Sequence, residues 1–142
     1  MNTRIRSTAV VLQNELLLTF IGIDPLSKKE YYFLPGGLIE EHETAPESAE
    51  RETLEETGYM INIEPSSVID KEYDFFWNGK NHHCLTFFYR GFLKSPLQAP
   101  KEVKDADYNL VVKWIPKSEI ANLLNYNSTI LEATLKLCNW KI

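Results

Sequence analysis

Apolar residues recur along this chain with two periods, and the switches between them mark the predicted elements. Residues 3–12 (TRIRSTAVVL) and 16–22 (LLLTFIG) carry the β-branched and apolar runs of strands, joined through Gln13-Asn14-Glu15. Residues 23–30 hold Asp24-Pro25 and the charged Lys28-Lys29-Glu30, and read as a loop. Tyr31-Tyr32-Phe33-Leu34 is a short strand ending at Pro35-Gly36-Gly37, where two glycines permit a close backbone approach. Taken alone, that Pro-Gly-Gly reads as a turn. A helix over 46–57 follows from its end signals. Thr44 is the N-cap, Glu47 completes a capping box, Pro46 stands in the first turn and Gly58 follows as the C-cap.

Beyond the helix, Tyr59–Glu64 reads as a strand closed by Pro65. Residues 67–77 and 81–93 are two longer β-like runs separated by Asn78-Gly79, a hairpin signal. Residues 94–108 form a polar loop. Asn109–Ile115 is a final strand, and Pro116 opens a helix around 117–125. An amphipathic helix over about 128–139 offers Ile130, Leu131, Ala133, Leu135, Leu137 and Cys138 as its apolar side. This order predicts an α/β fold, with a mixed β-sheet packed between helices. At 142 residues a single domain spanning 1–142 is expected.

Composition narrows the function classes. No apolar run is long enough to span a bilayer, and the run after Arg4 and Arg6 breaks too early for a signal peptide. No membrane association is expected. Cys84 and Cys138 form neither a disulfide framework nor a zinc spacing, so a cytoplasmic location is expected. The net charge of −5, with no basic stripe, argues against nucleic acid as a partner. A homodimer stays open.

The charge is local. Gly36–Tyr59 (GGLIEEHETAPESAERETLEETGY) holds eight of the 20 acids and, in Arg51, one of the 15 bases. Outside it, bases outnumber acids 14 to 12. Crowded carboxylates resist full ionisation unless a cation joins them. At about 100° per residue Glu52, Glu55 and Glu56 fall on one helix face, where they suit Mg²⁺ or Mn²⁺, hard cations that prefer oxygen. Ala45, Ala49, Thr53 and Thr57 repeat every four residues on a neighbouring face, small enough to let the helix pack closely on a sheet.

Gly37, five residues, Glu43, seven residues, then Arg51-Glu52-Thr53-Leu54-Glu55-Glu56-Thr57-Gly58-Tyr59 resembles the signature of the Nudix hydrolase superfamily. Every charged and glycine position of that signature is matched. Thr53 and Tyr59 depart from it, standing where an aliphatic residue is usual, and both are packing positions. The resemblance implies a Nudix-like α/β/α sandwich. It implies a metal-dependent pyrophosphohydrolase that cleaves a nucleoside diphosphate linked to another moiety. That class covers nucleotide sugars, ADP-ribose-like compounds, dinucleoside polyphosphates and nucleoside triphosphates. It also implies Mg²⁺, with Mn²⁺ as an alternative, held by Glu52, Glu56 and the Gly37 carbonyl. Glu55 is either a further ligand or the base that takes the proton of the attacking water. A loop acid among Glu102, Asp105 and Asp107 is the alternative base. Arg51 is expected to orient a helix carboxylate, Glu52 before the others, and Glu43 to cap or orient the loop.

A non-catalytic nucleotide-sensing module on the same fold is the alternative reading, although such modules often carry degraded motifs. An isoprenoid diphosphate isomerase would need extra catalytic elements, and Cys84 lacks that context. The hairpin aromatics Phe75, Phe76, Trp77, Phe87, Phe88 and Tyr89 are assigned mainly to the core, with one or two free to stack on a nucleobase. His82-His83-Cys84 alternates across a strand, so it is not expected to share one ion. Arg4 and Arg6 would reach a substrate phosphate only if their strand borders the cleft. The residues some fifteen positions beyond the motif match neither an ADP-ribose nor a dinucleoside polyphosphate pattern, so the substrate within the class stays open.

Overall fold

The computed structural model describes residues 2–95 and 111–141. In chain order the elements are β1 (Arg4–Gln13), β2 (Leu16–Ile23), β3 (Glu30–Phe33), β4 (Gly36–Leu38), α1 (Ala45–Thr57), β5 (Ile61–Ile63), β6 (Ile69–Trp77), β7 (Lys80–Leu93), β8 (Val111–Pro116), α2 (Ile120–Leu123) and α3 (Ser128–Cys138). The strands join in one sheet through the central β1, which runs parallel to β7 over Arg4–Val11. On its other edge β1 meets β4 and then β2, both antiparallel. β6 and β5 extend the sheet beyond β7, while β3 and β8 flank β2.

Strand alternation divides the core between the two faces of this sheet. Val10, Leu17 and Phe88 point to one side, where Ile120 of α2, Leu124 just after it, and Ala133 and Leu137 of α3 cover them. Their neighbours Ala9, Val11, Leu18 and Tyr89 point to the other, against Ala49 of α1 with Ile61 and Ile63. The result is the expected α/β/α sandwich with a mixed sheet. Among the described residues no helix is long and apolar enough to cross a membrane.

The helix signals read from the sequence are all realised. Thr44 Oγ1 accepts the Glu47 N–H (3.2 Å) and Glu47 Oε1 accepts the Thr44 N–H (2.9 Å), completing the capping box. Gly58 takes a left-handed φ of 81° and its N–H closes on the Leu54 carbonyl. Ala49, Thr53 and Thr57 are fully buried on the sheet side. The two threonine hydroxyls donate back to the carbonyls of Ala49 and Thr53, so their burial strands no polar group. At the far end of the molecule the buried Arg90 donates to the Leu137, Cys138 and Leu12 carbonyls. Its cation sits at the C-terminus of α3, where the helix dipole favours it, and it ties that helix to β1.

Three elements differ from expectation. Pro35-Gly36-Gly37 does not simply turn; Gly36–Leu38 is a strand paired with Arg6–Thr8. A Cβ on Gly36 would lie 2.6 Å from the Ser7 carbonyl oxygen and 2.9 Å from the Thr8 Cα, so the glycine permits a closer pairing than a side chain would allow. The strand expected over 59–64 contracts to Ile61–Ile63, and Pro65 starts a 3-10 turn just beyond its C-terminal end. The helix expected over 117–125 divides into a 3-10 turn at Lys117–Glu119 and the single-turn α2.

Candidate active site

Arg51 is the hub of the acidic face. Its Nε and Nη2 donate to the two Glu43 oxygens at 2.7 and 3.1 Å, a forked pairing that the sequence had not favoured. Nη1 donates to Glu52 Oε1 at 2.9 Å and Glu55 Oε2 at 3.2 Å, and Nη2 to the Leu38 carbonyl at 3.3 Å. The expected Arg51–Glu52 contact exists, but Glu43 is the principal partner. The reason is geometric: the Glu40–Glu43 turn brings Glu43 end-on to the guanidinium, whereas Glu52 is the next residue along the helix. The Arg51 hydrogen bond holds the Glu43 carboxyl below its usual range, and the same contact, before the others, pushes the guanidinium above its own. Glu43 also accepts the Glu40 N–H at 3.0 Å, the loop-orienting role expected of it.

Glu52 lies under different forces. Burial pushes its carboxyl above the usual range, and Arg51 only partly opposes this. The carboxylate rests against Gly37, where a Cβ would stand 2.6 Å from its carboxyl carbon. Glu56 turns toward the adjoining glycine, and its Oε1 accepts the Gly36 N–H at 2.8 Å. Thus β4 and α1 bring Gly37, Glu52 and Glu56 together, with Glu55 alongside on Arg51. Among the described residues no three His, Cys, Asp or Glu side chains stand grouped to hold a metal ion. The donor chemistry of this corner is nevertheless oxygen only, with one carboxylate whose desolvation is incompletely compensated.

From Glu56 and Gly36 a cavity of about 590 Å³ extends along the sheet. Arg4 and Arg6, two residues apart and so on the same side of β1, line it with His82, Cys84 and Tyr73. Arg4 Nη1 is 3.5 Å from His82 Nδ1, and Arg6 is among the cations that pull the Glu52 carboxyl down. Farther along, Phe33, Phe75 and Trp77 form an aromatic wall, with Phe33 and Trp77 centroids 5.4 Å apart at 70°. Sequence reasoning set the two arginines aside because periodicity cannot say which strand borders a cleft. Their alternation on β1 was the available clue.

The hairpin aromatics divide. Phe88 and Tyr89 are buried core residues and Phe87 packs on the α1 side, as expected. Phe75 and Trp77 face the cavity, and Phe76, 63% exposed, points away from it. His82 and Cys84 turn inward, while His83 lies outside between Asp74 (2.8 Å) and Glu72 (3.0 Å), so the trio shares no ion. Glu102, Asp105 and Asp107 lie outside the described residues.

A family model described as NUDIX domain matches residues 3–135. Among solved structures, a NUDIX hydrolase from Nitrosomonas europaea superposes with a TM-score of 0.72 at 21% identity, covering 96% of this chain and 88% of that one. A MutT protein from Methanosarcina mazei Go1 gives 0.68 at 14% identity, over 95% and 92% of the two chains. An Ap4A hydrolase from C. elegans gives 0.67 at 14% identity, over 96% of each. At these identities the solved structures establish a shared fold.

Proposed function

This chain belongs to the NUDIX family, and on that premise we propose that it is a metal-dependent hydrolase cleaving the pyrophosphate bond of a nucleoside diphosphate linked to another moiety. The observation that carries this reading is the cavity. It brings two arginines and an aromatic wall into one space with the Glu56 end of the acidic helix. An anionic chain flanked by a flat, partly apolar group matches that sequence of surfaces.

Each residue has a role in this reading. Glu52 and Glu56, with the Gly37 carbonyl, would hold Mg²⁺ or Mn²⁺, since oxygen donors suit a hard cation and Glu52 lacks full compensation for its burial. When bound, the ion supplies charge neutralisation of the pyrophosphate and acidifies a water. Arg51 orients Glu52 and Glu55. Glu55 is the candidate base among the described residues, or a further ligand. As the water oxygen bonds to phosphorus, the bridging P–O bond breaks and the base takes the water's proton. Arg4 and Arg6 hold phosphate oxygens in the ground and transition states. The substrate class extends to nucleotide sugars, ADP-ribose-like compounds, nucleoside triphosphates and dinucleoside polyphosphates, the last being the class named for the Ap4A hydrolase of the same fold.

The test is product release from a panel of ADP-ribose, nucleotide sugars, dinucleoside polyphosphates, NADH and nucleoside triphosphates, with and without Mg²⁺. Metal-dependent cleavage of one class, absent in Glu56→Gln, is the expected result. Silence across the panel from a protein that binds nucleotide would overturn hydrolysis in favour of a sensing module.

A further inference from the structure

The far end of the cavity is closed by two walls that share no hydrogen-bonded ladder. One is the end of β2 with β3, where Gly22, Ile23 and Phe33 line the cavity; the other is the end of β6, with Phe75 and Trp77. β2 pairs with β1, β3 and β8, whereas β6 pairs with β7. Each wall runs directly into a turn, residues 24–29 after β2 and Asn78-Gly79 after β6.

Asp24 joins those turns. Its side chain is in a residue only 3% exposed, and Oδ1 accepts the N–H groups of Leu26 (2.8 Å) and Ser27 (3.0 Å) within its own turn. Oδ2 reaches across to the N–H of Asn78, 54 residues away, at 2.9 Å. That bond, ahead of those from Ser27 and Leu26, holds the carboxyl below its usual range. Asp24 stands between two cavity-lining residues, Ile23 and Pro25, and Asn78 directly follows a third, Trp77. The seam has an apolar half as well. Gly79 has a φ of +77°, and a Cβ there would lie 2.8 Å from Leu26 Cδ2, so Leu26 rests on the hairpin turn.

The seam matters because the ring positions behind it are mutually dependent. A Cβ on Gly22 would lie 2.7 Å from the Phe33 ring, so Phe33 lies flat on the end of β2. Phe33 then meets Phe75 (5.9 Å) and Trp77 (5.4 Å) edge-to-face, across the gap between the unpaired strands. Farther back the two walls are tied through Tyr126, which donates to the Tyr32 carbonyl (2.8 Å), and Asn127, which donates to the Asp74 carbonyl (3.1 Å); at the Phe33–Trp77 end the polar tie is Asp24.

We infer that Asp24 is a positioning residue for substrate: by latching the turn after β2 to the β6–β7 turn, it holds Phe33, Phe75 and Trp77 as a preformed wall for the nucleobase. The inference rests on the proposed reading of this cavity as the substrate site. The phosphate end, on β1 and α1, lies outside the seam.

The experiment compares wild type with Asp24→Asn and Leu26→Ala, each checked for its native circular dichroism spectrum. Asn leaves one acceptor oxygen and sets an NH₂ group among three N–H donors, so a latch bond is lost without a change of size. Leu26 is 67% exposed, so its truncation loosens the seam with little risk to folding. Binding of the four ribonucleoside 5′-monophosphates and of ribose 5-phosphate is measured in EDTA. Wild type should prefer its best nucleotide over ribose 5-phosphate by about tenfold, the contribution of a stacked base. Asp24→Asn should lose most of that preference, about fivefold, with ribose 5-phosphate changed less than about twofold, and Leu26→Ala should lose a smaller part. In turnover, KM should rise while kcat stays within about twofold. No nucleotide preference in wild type, or an equal loss for both ligands in Asp24→Asn, overturns the inference. Because binding is read without metal, absence of hydrolysis would remove the hydrolase reading while leaving this result to stand or fall on its own.

Discussion

Gly37 and Glu52 occupy each other's space: a Cβ on the glycine would stand 2.6 Å from the Glu52 carboxyl carbon and 2.7 and 2.8 Å from its oxygens. A methyl group at 37 therefore displaces the carboxylate. Gly37 has no left-handed φ, so Gly37→Ala meets a steric obstacle and no backbone one. Millimolar Mg²⁺ or Mn²⁺ should raise the melting midpoint of wild type, because a ligand bound only by the native state stabilises it. That rise should vanish in Gly37→Ala, and turnover should fall on the order of 100-fold, as expected for a displaced reacting group. An alanine variant with the wild-type response to metal would remove Glu52 from the metal site.

Glu56 accepts the Gly36 N–H through one oxygen, and a glutamine retains an oxygen for that bond. Glu56→Gln should therefore melt close to wild type while losing on the order of 100-fold or more in turnover, because the charge alone is removed. Near wild-type activity would sink its assignment as a ligand.

Arg51 hydrogen-bonds three carboxylates at once, with Glu40 a further 3.6 Å ion pair, and only a fork reaches them all. Arg51→Lys should leave the half-buried Glu43 short of partners and cost about 1–3 kcal/mol in urea unfolding, the usual penalty for an unmet buried acceptor. Turnover should fall further than stability explains, since Glu52 and Glu55 lose their orientation. A variant with unchanged unfolding midpoint would show that the hub does not organise this face.

His83 offers a pH test away from the site. The hydrogen bonds to Asp74, then to Glu72, raise its folded pKa above the ordinary 6.5. A raised pKa means that the protonated form is favoured by folding, so the stabilisation is complete below 6.5 and is lost as pH rises through the folded value. His83→Gln should thus be less stable than wild type at about pH 5.5 and equal to it at about pH 9. A difference that persists unchanged at the higher pH would mean that the ring acts by packing and not by charge.

The sequence by itself determined α1, its caps, its small buried face and the set of acids it carries. All of these depend on residues within a few turns of one another, where helical geometry converts spacing directly into direction. It also led to the strands, the Asn78-Gly79 hairpin and the two-sided sandwich, because alternation and turn chemistry are local. The tertiary structure alone decided that Gly36–Leu38 pairs as a strand, that Glu43 is the main partner of Arg51, and that Arg4 and Arg6 face the cavity. It alone set Phe75 and Trp77 apart from Phe76, and brought Asp24 to Asn78. The cavity joins Arg4 and His82, 78 positions apart along the chain. Such neighbours are created by strand order and register, and a one-residue slip in register would turn each of those side chains to the opposite face.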